Sequence, residues 1–388
     1  MTKRFIGGLT ESEERQIHDA IEKWLERDVR PQVLKLEQAD EYPKDFADQM
    51  AELGLFGATI SPDYGGLGMS ASTYAKVVTQ ISEVWMSITG IFNSHLTMAT
   101  ILERNGSEQQ KKEWLPKFAT GEKRGALALT EPDAGTDIQS IKTAAIWNGN
   151  EYIVNGSKMW ISNGIHCDVV ALVAKTNLEA DPPRRGMSVF LAEKGHGFRV
   201  ARKLEKLGYN GIDTAELVFE NYKLPPDNLI GEEGQGFYAV LNALELGRIN
   251  IAARGVGIAQ AALNDSVRYA QERKTFGKPI AQHQAIQLKL ADMATRLEAA
   301  KLLTEQAAKT FDKGDRSDME AGIAKLFSSE TALQNATEAL RIHGGYGYSK
   351  ELHVERYFRD APLLCIGEGT NEMQRIIIAR QLIDRNKI

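Results

Sequence analysis

Cysteine is nearly missing from this 388-residue chain, which has only Cys167 and Cys365, in unrelated contexts. Two thiols cannot build a disulfide scaffold or a thiolate metal cage, and their scarcity suits a reducing compartment. Positive charge is not in surplus. With 47 basic against 52 acidic residues, net −5, composition gives no electrostatic footprint for nucleic acid. The histidines show no metal-ligand spacing: there is no His-Glu-x-x-His, so no metal is expected. No long, purely apolar run occurs either. Val84 to Leu102 carries no Asp, Glu, Lys or Arg, but Ser87, Thr89, Asn93, Ser94, His95, Thr97 and Thr100 interrupt it. It reads as a buried soluble helix, so no membrane insertion is expected. Met1 to Gly8 is too short and too polar for a signal-peptide core. The expectation is a cytoplasmic protein or, for a processed form, one of the mitochondrial matrix.

What is present divides the chain in three, and its length allows two or three domains. The first third is helical. Thr10 and Glu13 fit a capping box, and Ile17, Ile21, Trp24 and Leu25 follow at helical spacing. The Gly-rich Ser61 to Gly68 stretch has no following Gly-Lys-Ser/Thr, so it reads as a structural turn, or a turn near the site, and no phosphate loop. From about Gly125 the pattern changes to short β-rich runs: Tyr152 to Val154, Val169 to Val173, Met187 to Leu191 and Ala215 to Phe219. Turn signals at Asn148-Gly149-Asn150 and Asp181-Pro182-Pro183 punctuate them, which predicts a small β-domain closed by Leu224 to Asp227. From Gly236 the chain is helical again. Ile286, Leu290, Met293, Leu297 and Ala300 form one stripe, and Ile323, Leu326, Leu333, Ala336 and Leu340 another, as a bundle requires.

One carboxylate stands out. Glu368 lies between Gly367 and Gly369, directly after the apolar run Leu363 to Ile366. Flanking glycines admit close approach, and scarcity of water raises a carboxylate's pKa toward the range of a general base. Taken alone, Gly-Glu-Gly reads as a solvated turn. The rest of the chain decides otherwise. Ala128 to Asp137 reads Ala-Leu-Thr-Glu-Pro-Asp-Ala-Gly-Thr-Asp, and Gly156 to Gly164 reads Gly-Ser-Lys-Met-Trp-Ile-Ser-Asn-Gly. Arg273 to Pro279 reads Arg-Lys-Thr-Phe-Gly-Lys-Pro, His343 to Tyr348 His-Gly-Gly-Tyr-Gly-Tyr, and Glu368 to Thr370 Glu-Gly-Thr. In these motifs, taken in order, the chain resembles the acyl-CoA dehydrogenase family. The resemblance implies an α+β fold: an N-terminal helical domain (1–122), a central small β-barrel domain (123–233) and a C-terminal four-helix-bundle domain (234–388).

It also implies FAD, held between the β-domain and the bundle with a neighbouring subunit's help, in a homotetramer. Leu127, Leu129, Thr130, Gly135 and Thr136 match the stretch that meets the flavin. Trp160 matches the ring beside the isoalloxazine, and Ser162 a hydroxyl near its reactive nitrogen. Arg273 offers a planar fork to pyrophosphate, Phe276 an apolar wall and Gln284 an amide. Arg341, Gly344 and Gly345 match a segment that reaches the neighbouring subunit's dinucleotide, and Thr370 and Glu372 complete the flavin contacts. For the substrate the resemblance implicates Thr136, Glu245, Arg248 and Gly369. Glu245 and Arg248 share one helix face, where an intrahelical ion pair is the simpler reading.

The implied reaction is α,β-dehydrogenation of an acyl-CoA thioester to the 2-enoyl-CoA. Glu368 takes the α-proton, the β-hydride goes to flavin, and electrons pass on to an electron-transfer flavoprotein. Some relatives carry their base on the helix just before Arg248; that slot is Gly247 here, which leaves Glu368 alone. Gly367 stands where several straight-chain relatives have Tyr, which leaves room for a branched, cyclic or aromatic acyl group. Glutaryl-type relatives use a basic residue on the helix lining the acyl end. Val84 to Leu102 has none, so a dicarboxylic substrate is not expected. Two rival readings are a flavin-dependent oxygenase or desulfinase, most of which lack the carboxylate, and a non-catalytic CoA- or flavin-binding relative.

Overall fold

The computed structural model describes residues 8–387. The amino-terminal stretch weighed as a signal segment, apart from Gly8, lies outside them. The helices of the first third are α1 (Glu11–Trp24), α2 (Val33–Gln38), α3 (Lys44–Glu52), α4 (Ala71–Trp85), α5 (Thr89–Asn105) and α6 (Glu108–Thr120). Thr10 and Glu13 close the predicted capping box on α1, each side chain satisfying a backbone amide of the other. The uncharged stretch Val84 to Leu102 is interrupted: α4 ends at Trp85, a 3₁₀ turn spans Met86–Ile88, and α5 begins at Thr89. Among the described residues no helix is long and apolar enough to cross a membrane.

The middle segment forms β1 (Gly125–Ala128), β2 (Ala144–Trp147), β3 (Tyr152–Ser162), β4 (Val169–Lys175), β5 (Met187–Glu193), β6 (Phe198–Lys203), β7 (Thr214–Leu224) and β8 (Leu229–Ile230). They pair in the order β6-β7-β3-β2-β4-β5-β8, with β1 parallel to β4. β4 is buried on both faces, which is why it reads as an unbroken apolar run. Val170, Leu172 and Ala174 enter the β-domain's own core, while Val169, Ala171 and Val173 join the main helical core. The domain is thereby fastened to the helices through β4 and, by Met187, Val189 and Leu191, through β5. At the other end of the path, β6 presents Arg199, Arg202 and Lys203 outward, charges that blunt an edge strand. β6 and β8 carried no clear alternation in sequence because each is short and half of β6 is exposed.

The last third holds α7 (Gly236–Glu272), a two-stranded hairpin of β9 (Lys274–Thr275) and β10 (Lys278–Pro279), α8 (Gln284–Asp312), α9 (Asp318–His343), α10 (Val354–Ile366) and α11 (Asn371–Arg385). α7 is the axis: α4 and α5 pack on it from the first third, α8, α9 and α10 from the last. Small residues make this possible. A Cβ on Gly255 would come within 2.7 Å of the Ser328 carbonyl oxygen on α9, and one on Gly257 within 2.6 Å of Ser82 on α4. On α9 the fully buried face is likewise small, with Ala321, Ala324, Ala332, Ala336 and Ala339. The larger Ile323, Leu326, Leu333 and Leu340 of the predicted stripe are only half-buried.

Candidate active site

Glu368 occupies the short connection between α10 and α11, at φ 53°. A non-glycine residue in the left-handed region is strained and persists only where its surroundings hold it. Here they do. Lys325, buried on α9, donates to the Cys365 carbonyl at 3.3 Å and to Asn371 Oδ1 at 2.8 Å, gripping the connection on both sides. Burial brings the Lys325 ammonium down to about 8. Gln374 donates to the Gly369 carbonyl at 3.2 Å, and the Thr370 hydroxyl caps α11 by accepting from the Met373 amide. Thr370 thus has a structural task besides the flavin contact expected of it.

The carboxylate is asymmetric. Oε1 accepts from Asn93 Nδ2 on α5 at 2.8 Å, whereas Oε2 is buried with no hydrogen-bond partner. Burial pushes the carboxyl up from its ordinary value; the charges of Arg254, Lys325 and Arg248 and the Asn93 bond restrain the rise. Oε2 lies against α7 at Gly247, where a Cβ would stand 1.8 Å from it. A glycine is required there for the carboxylate to sit where it does. Asn93 continues a polar line: Tyr74 Oη donates to its Oδ1 at 3.3 Å, and Asn250 Nδ2 donates to Tyr74 Oη at 2.9 Å.

The β-domain delivers its motifs to the same region. The Met159 amide donates to the Thr130 carbonyl at 2.8 Å, joining the two stretches expected to meet the flavin. Lys158, fully buried, donates to the Leu129 carbonyl at 3.0 Å and to Glu131 Oε1 at 2.7 Å, which ties β3 to the loop after β1. Between Lys158 and Ile161 the β3–β7 register shifts, and Trp160 stands out at φ 64° with 55% of its surface exposed. Ser162 is half-buried, its carbonyl accepting from Ser94 of α5 at 3.3 Å. Asn163 Nδ2 reaches the Gly90 and Ile91 carbonyls at 3.2 and 2.9 Å. Leu127 and Thr130 are half-buried, Leu129 is buried, and Gly135 and Thr136 are exposed in the loop beyond. A strained, exposed indole beside a half-buried hydroxyl and bare backbone fits one face of a planar polar ring.

Glu245 and Arg248, both buried on α7, meet Asp318 at the start of α9. Arg248 Nη1 lies 3.4 Å from Asp318 Oδ1, and Asp318 shares a hydrogen bond with Glu245. The two are thus bridged through another helix. Gly369 is exposed at φ 90° beside the base, and Glu372 is exposed on the first turn of α11.

The remaining predicted residues gather elsewhere. Tyr269, near the end of α7, stacks on His343 at the end of α9 with centroids 4.2 Å apart. That places Arg273 and the β9–β10 hairpin beside Gly344 and Gly345. Phe276, at the hairpin tip, is 96% exposed at φ 50°, and Gln284 opens α8 on the surface. A Cβ on Gly344 or Gly345 would meet nothing within 4 Å, and Arg341 is exposed, touching only Glu338 among the described residues at 2.7 Å. A bare aromatic, two exposed arginines and two uncovered glycines suit a nucleotide with phosphates. Yet 26 residues of α7 separate Gly247 from Arg273, about 39 Å at the helical rise. The two groups of candidate residues therefore lie far apart along one copy.

Asn93, Lys325, Tyr74, Asn250 and Arg254 were not singled out from the sequence. Asn93 had a visible signal, an amide inside an otherwise uncharged buried helix; the others carry none.

Family models for the acyl-CoA dehydrogenase N-terminal, middle and C-terminal domains match residues 11–122, 126–222 and 234–383. An acyl-CoA dehydrogenase of Bacillus subtilis (strain 168) is 41% identical over 365 residues, 94% of this chain and 96% of that one. Among solved structures, butyryl-CoA dehydrogenase from Megasphaera elsdenii superposes with a TM-score of 0.93 at 36% identity, over 97% of this chain and 99% of that one. A chain in the structure of the electron transferring flavoprotein of Acidaminococcus fermentans has the same score at 38% identity, over 97% and 99%.

Proposed function

The chain belongs to the acyl-CoA dehydrogenase family, and we propose that it is an oxidoreductase that converts an acyl-CoA thioester to its 2-enoyl-CoA with Glu368 as the base. The observation that carries this reading is Oε2 of Glu368: buried, without a partner, and pressed against a glycine. An acceptor kept unsatisfied in the interior is costly, and a proton to abstract is what would satisfy it.

The cofactor is FAD, which when bound takes the hydride from the β-carbon. Trp160, Ser162 and the Leu127 to Thr136 stretch would hold its ring, while the Arg273, Phe276, Gln284, Arg341, Gly344 and Gly345 half would serve the cofactor of a second copy. The 39 Å separation along α7 supports an obligate oligomer, and we take it to be a homotetramer. Glu368 removes the α-proton through Oε2 while Asn93 fixes Oε1. Burial raises its basicity, and the charges of Arg254, Lys325 and Arg248 restrain that rise. We assign to the Glu368 amide the thioester carbonyl, where negative charge develops. Lys325, Gln374 and the Thr370 cap hold the connection so that the strained backbone does not relax. Electrons leave to an electron-transfer flavoprotein, a partner supported by the likeness to the Acidaminococcus fermentans structure.

The test is anaerobic addition of acyl-CoA thioesters to the purified yellow protein. At least one thioester should bleach the flavin, and Glu368→Gln should abolish the bleaching. A protein whose flavin no acyl-CoA reduces, or one that purifies without flavin, overturns the proposal in favour of a non-catalytic relative.

A further inference from the structure

Seven residues beyond Gly247 on α7, and on the same face as Asn250, lies Arg254. It is 2% exposed, and Nη1 donates to Tyr209 Oη at 3.0 Å. Nε and Nη2, both buried, have no partner, and no carboxylate forms an ion pair with Arg254 among the described residues. Tyr209 is built in to receive it. It sits at φ 61°, its amide is fixed by Asp360 Oδ1 at 2.7 Å, and its ring covers Gly90 so closely that a Cβ there would stand 1.7 Å from Oη. Beside it Asn250 is wholly buried, its Oδ1 also unpartnered.

Burying a guanidinium without a counter-ion is strongly unfavourable unless something supplies the charge and the acceptors. Gly247 touches the base, so the α7 face that runs on to Asn250 and Arg254 leads from the reacting carbons into the interior. A purely hydrocarbon tail along that face would leave two guanidinium donors unsatisfied. On the dehydrogenase reading given above, we infer that the acyl group ends in a carboxylate, received by Arg254 with help from Tyr209 and Asn250: the substrate is the mono-CoA thioester of an α,ω-dicarboxylic acid. This reverses the expectation drawn from Val84 to Leu102. The cation comes from α7, across the pocket from the helix searched. Binding would also act on the base. Arg254 holds the Glu368 carboxyl down against the push of burial, so an anion on Arg254 releases Glu368 to become more basic when the substrate is in place.

The experiment measures flavin reduction of the holoenzyme by CoA thioesters of dicarboxylic acids from glutaryl to suberyl. At each length it is compared with the unsubstituted acyl and the ω-carboxamide analogues. Charge-assisted hydrogen bonds predict a preference for the carboxylate in kcat/KM of roughly tenfold to a hundredfold at the fitting length. Arg254→Gln should erase that ratio and Arg254→Lys keep part of it, because the wild-type preference combines anion binding with a release of Glu368 that only the carboxylate brings about, and both need the guanidinium. An unsubstituted or carboxamide thioester matching the carboxylate at every length overturns the inference while leaving the dehydrogenation intact. So does a ratio that survives Arg254→Gln. If no thioester bleaches the flavin, the dehydrogenation itself fails. Calorimetric Kd values for the same pairs then decide the anion site alone, equal affinities overturning it. Should Arg254→Gln lose its flavin, the wild-type carboxylate-to-carboxamide ratio and the Lys variant carry the test.

Discussion

Replacing Gly247 with Ala adds one methyl group at the most sensitive point of the site. The three nearest atoms to the new Cβ all belong to Glu368: Oε2 at 1.8 Å, Cδ at 2.8 Å and Oε1 at 3.3 Å. Ordinary contact begins near 3.4 Å, so the oxygen has to retreat by about 1.6 Å, the difference between 3.4 and 1.8 Å. The carboxylate is the flexible end of a side chain and can swing away, so the fold survives. Helix propensity even favours Ala over Gly inside α7 by roughly 0.5–1 kcal/mol. Catalysis has no such tolerance, because a misplacement of about 1 Å costs on the order of a hundredfold. Gly247→Ala should therefore keep its flavin and its melting temperature while the rate of flavin reduction in anaerobic stopped flow falls a hundredfold or more. A second arm uses the same vector: in a Glu368→Gly background, Gly247→Glu should restore part of the lost rate. Reduction by Gly247→Ala within a few-fold of wild type would refute the placement of the base against α7.

Three further perturbations test its surroundings. Glu368→Gln should lower flavin reduction by about two to four powers of ten yet stabilise the fold at neutral pH. The folded carboxyl titrates above its unfolded value of 4.5, so wild type loses stability as pH rises through that interval. Denaturant midpoints of the two proteins should then coincide in acid and diverge toward neutrality; a constant gap would contradict the assigned shift. Asn93→Leu removes a hydrogen bond to the ionised form, so the acid limb of the pH–rate profile should move to higher pH. An unmoved limb would show that Asn93 does not support the base. At Gly367 an added Cβ would stand 3.3 Å from the Leu363 carbonyl oxygen, a tight contact that a small backbone shift relieves, and Tyr there should narrow the pocket. Bulky acyl-CoA thioesters should lose more activity than short straight ones, by roughly 10- to 200-fold, whereas equal losses would point to strain in the Glu368 connection.

Much of the fold was legible because it is written in local signals. The capping box at Thr10 and Glu13, the glycine turns and the apolar run of β4 each declare an element from a few adjacent residues. Less legible was what those elements do to one another. The α9 stripe of Ile323, Leu326, Leu333 and Leu340 looked like the core-facing side. α7 approaches closely, Gly255 against Ser328, and the buried face of α9 is mostly small residues, which leaves the larger stripe residues at the rim. Side-chain size at a helix crossing is set by the partner's distance, and a single helix's periodicity carries no record of that distance.

The candidate site divides along the same line. Contiguous motifs announced Glu368, Trp160, Ser162 and the Arg273 to Pro279 hairpin, because a turn or a bulge has to be built from neighbours in sequence. The groups that tune the base do not share a motif. Asn93 comes from α5, Tyr74 from α4, Gly247 and Arg254 from α7, and Lys325 from α9, and each looks ordinary in its own helix. Arg254 in particular is an i+7 neighbour of Gly247, a relation that matters only once Gly247 is known to touch the carboxylate. Position along α7 then has a chemical reading. At Gly247 the helix meets the Glu368 carboxylate, two turns on it carries the buried Arg254 with two unpartnered donors, and about 39 Å along it ends at the exposed Arg273. On the proposed reading, the contiguous motifs specify where hydrogen is removed. The unremarkable polar residues of the buried helix interior bear on which acyl group is there to lose it.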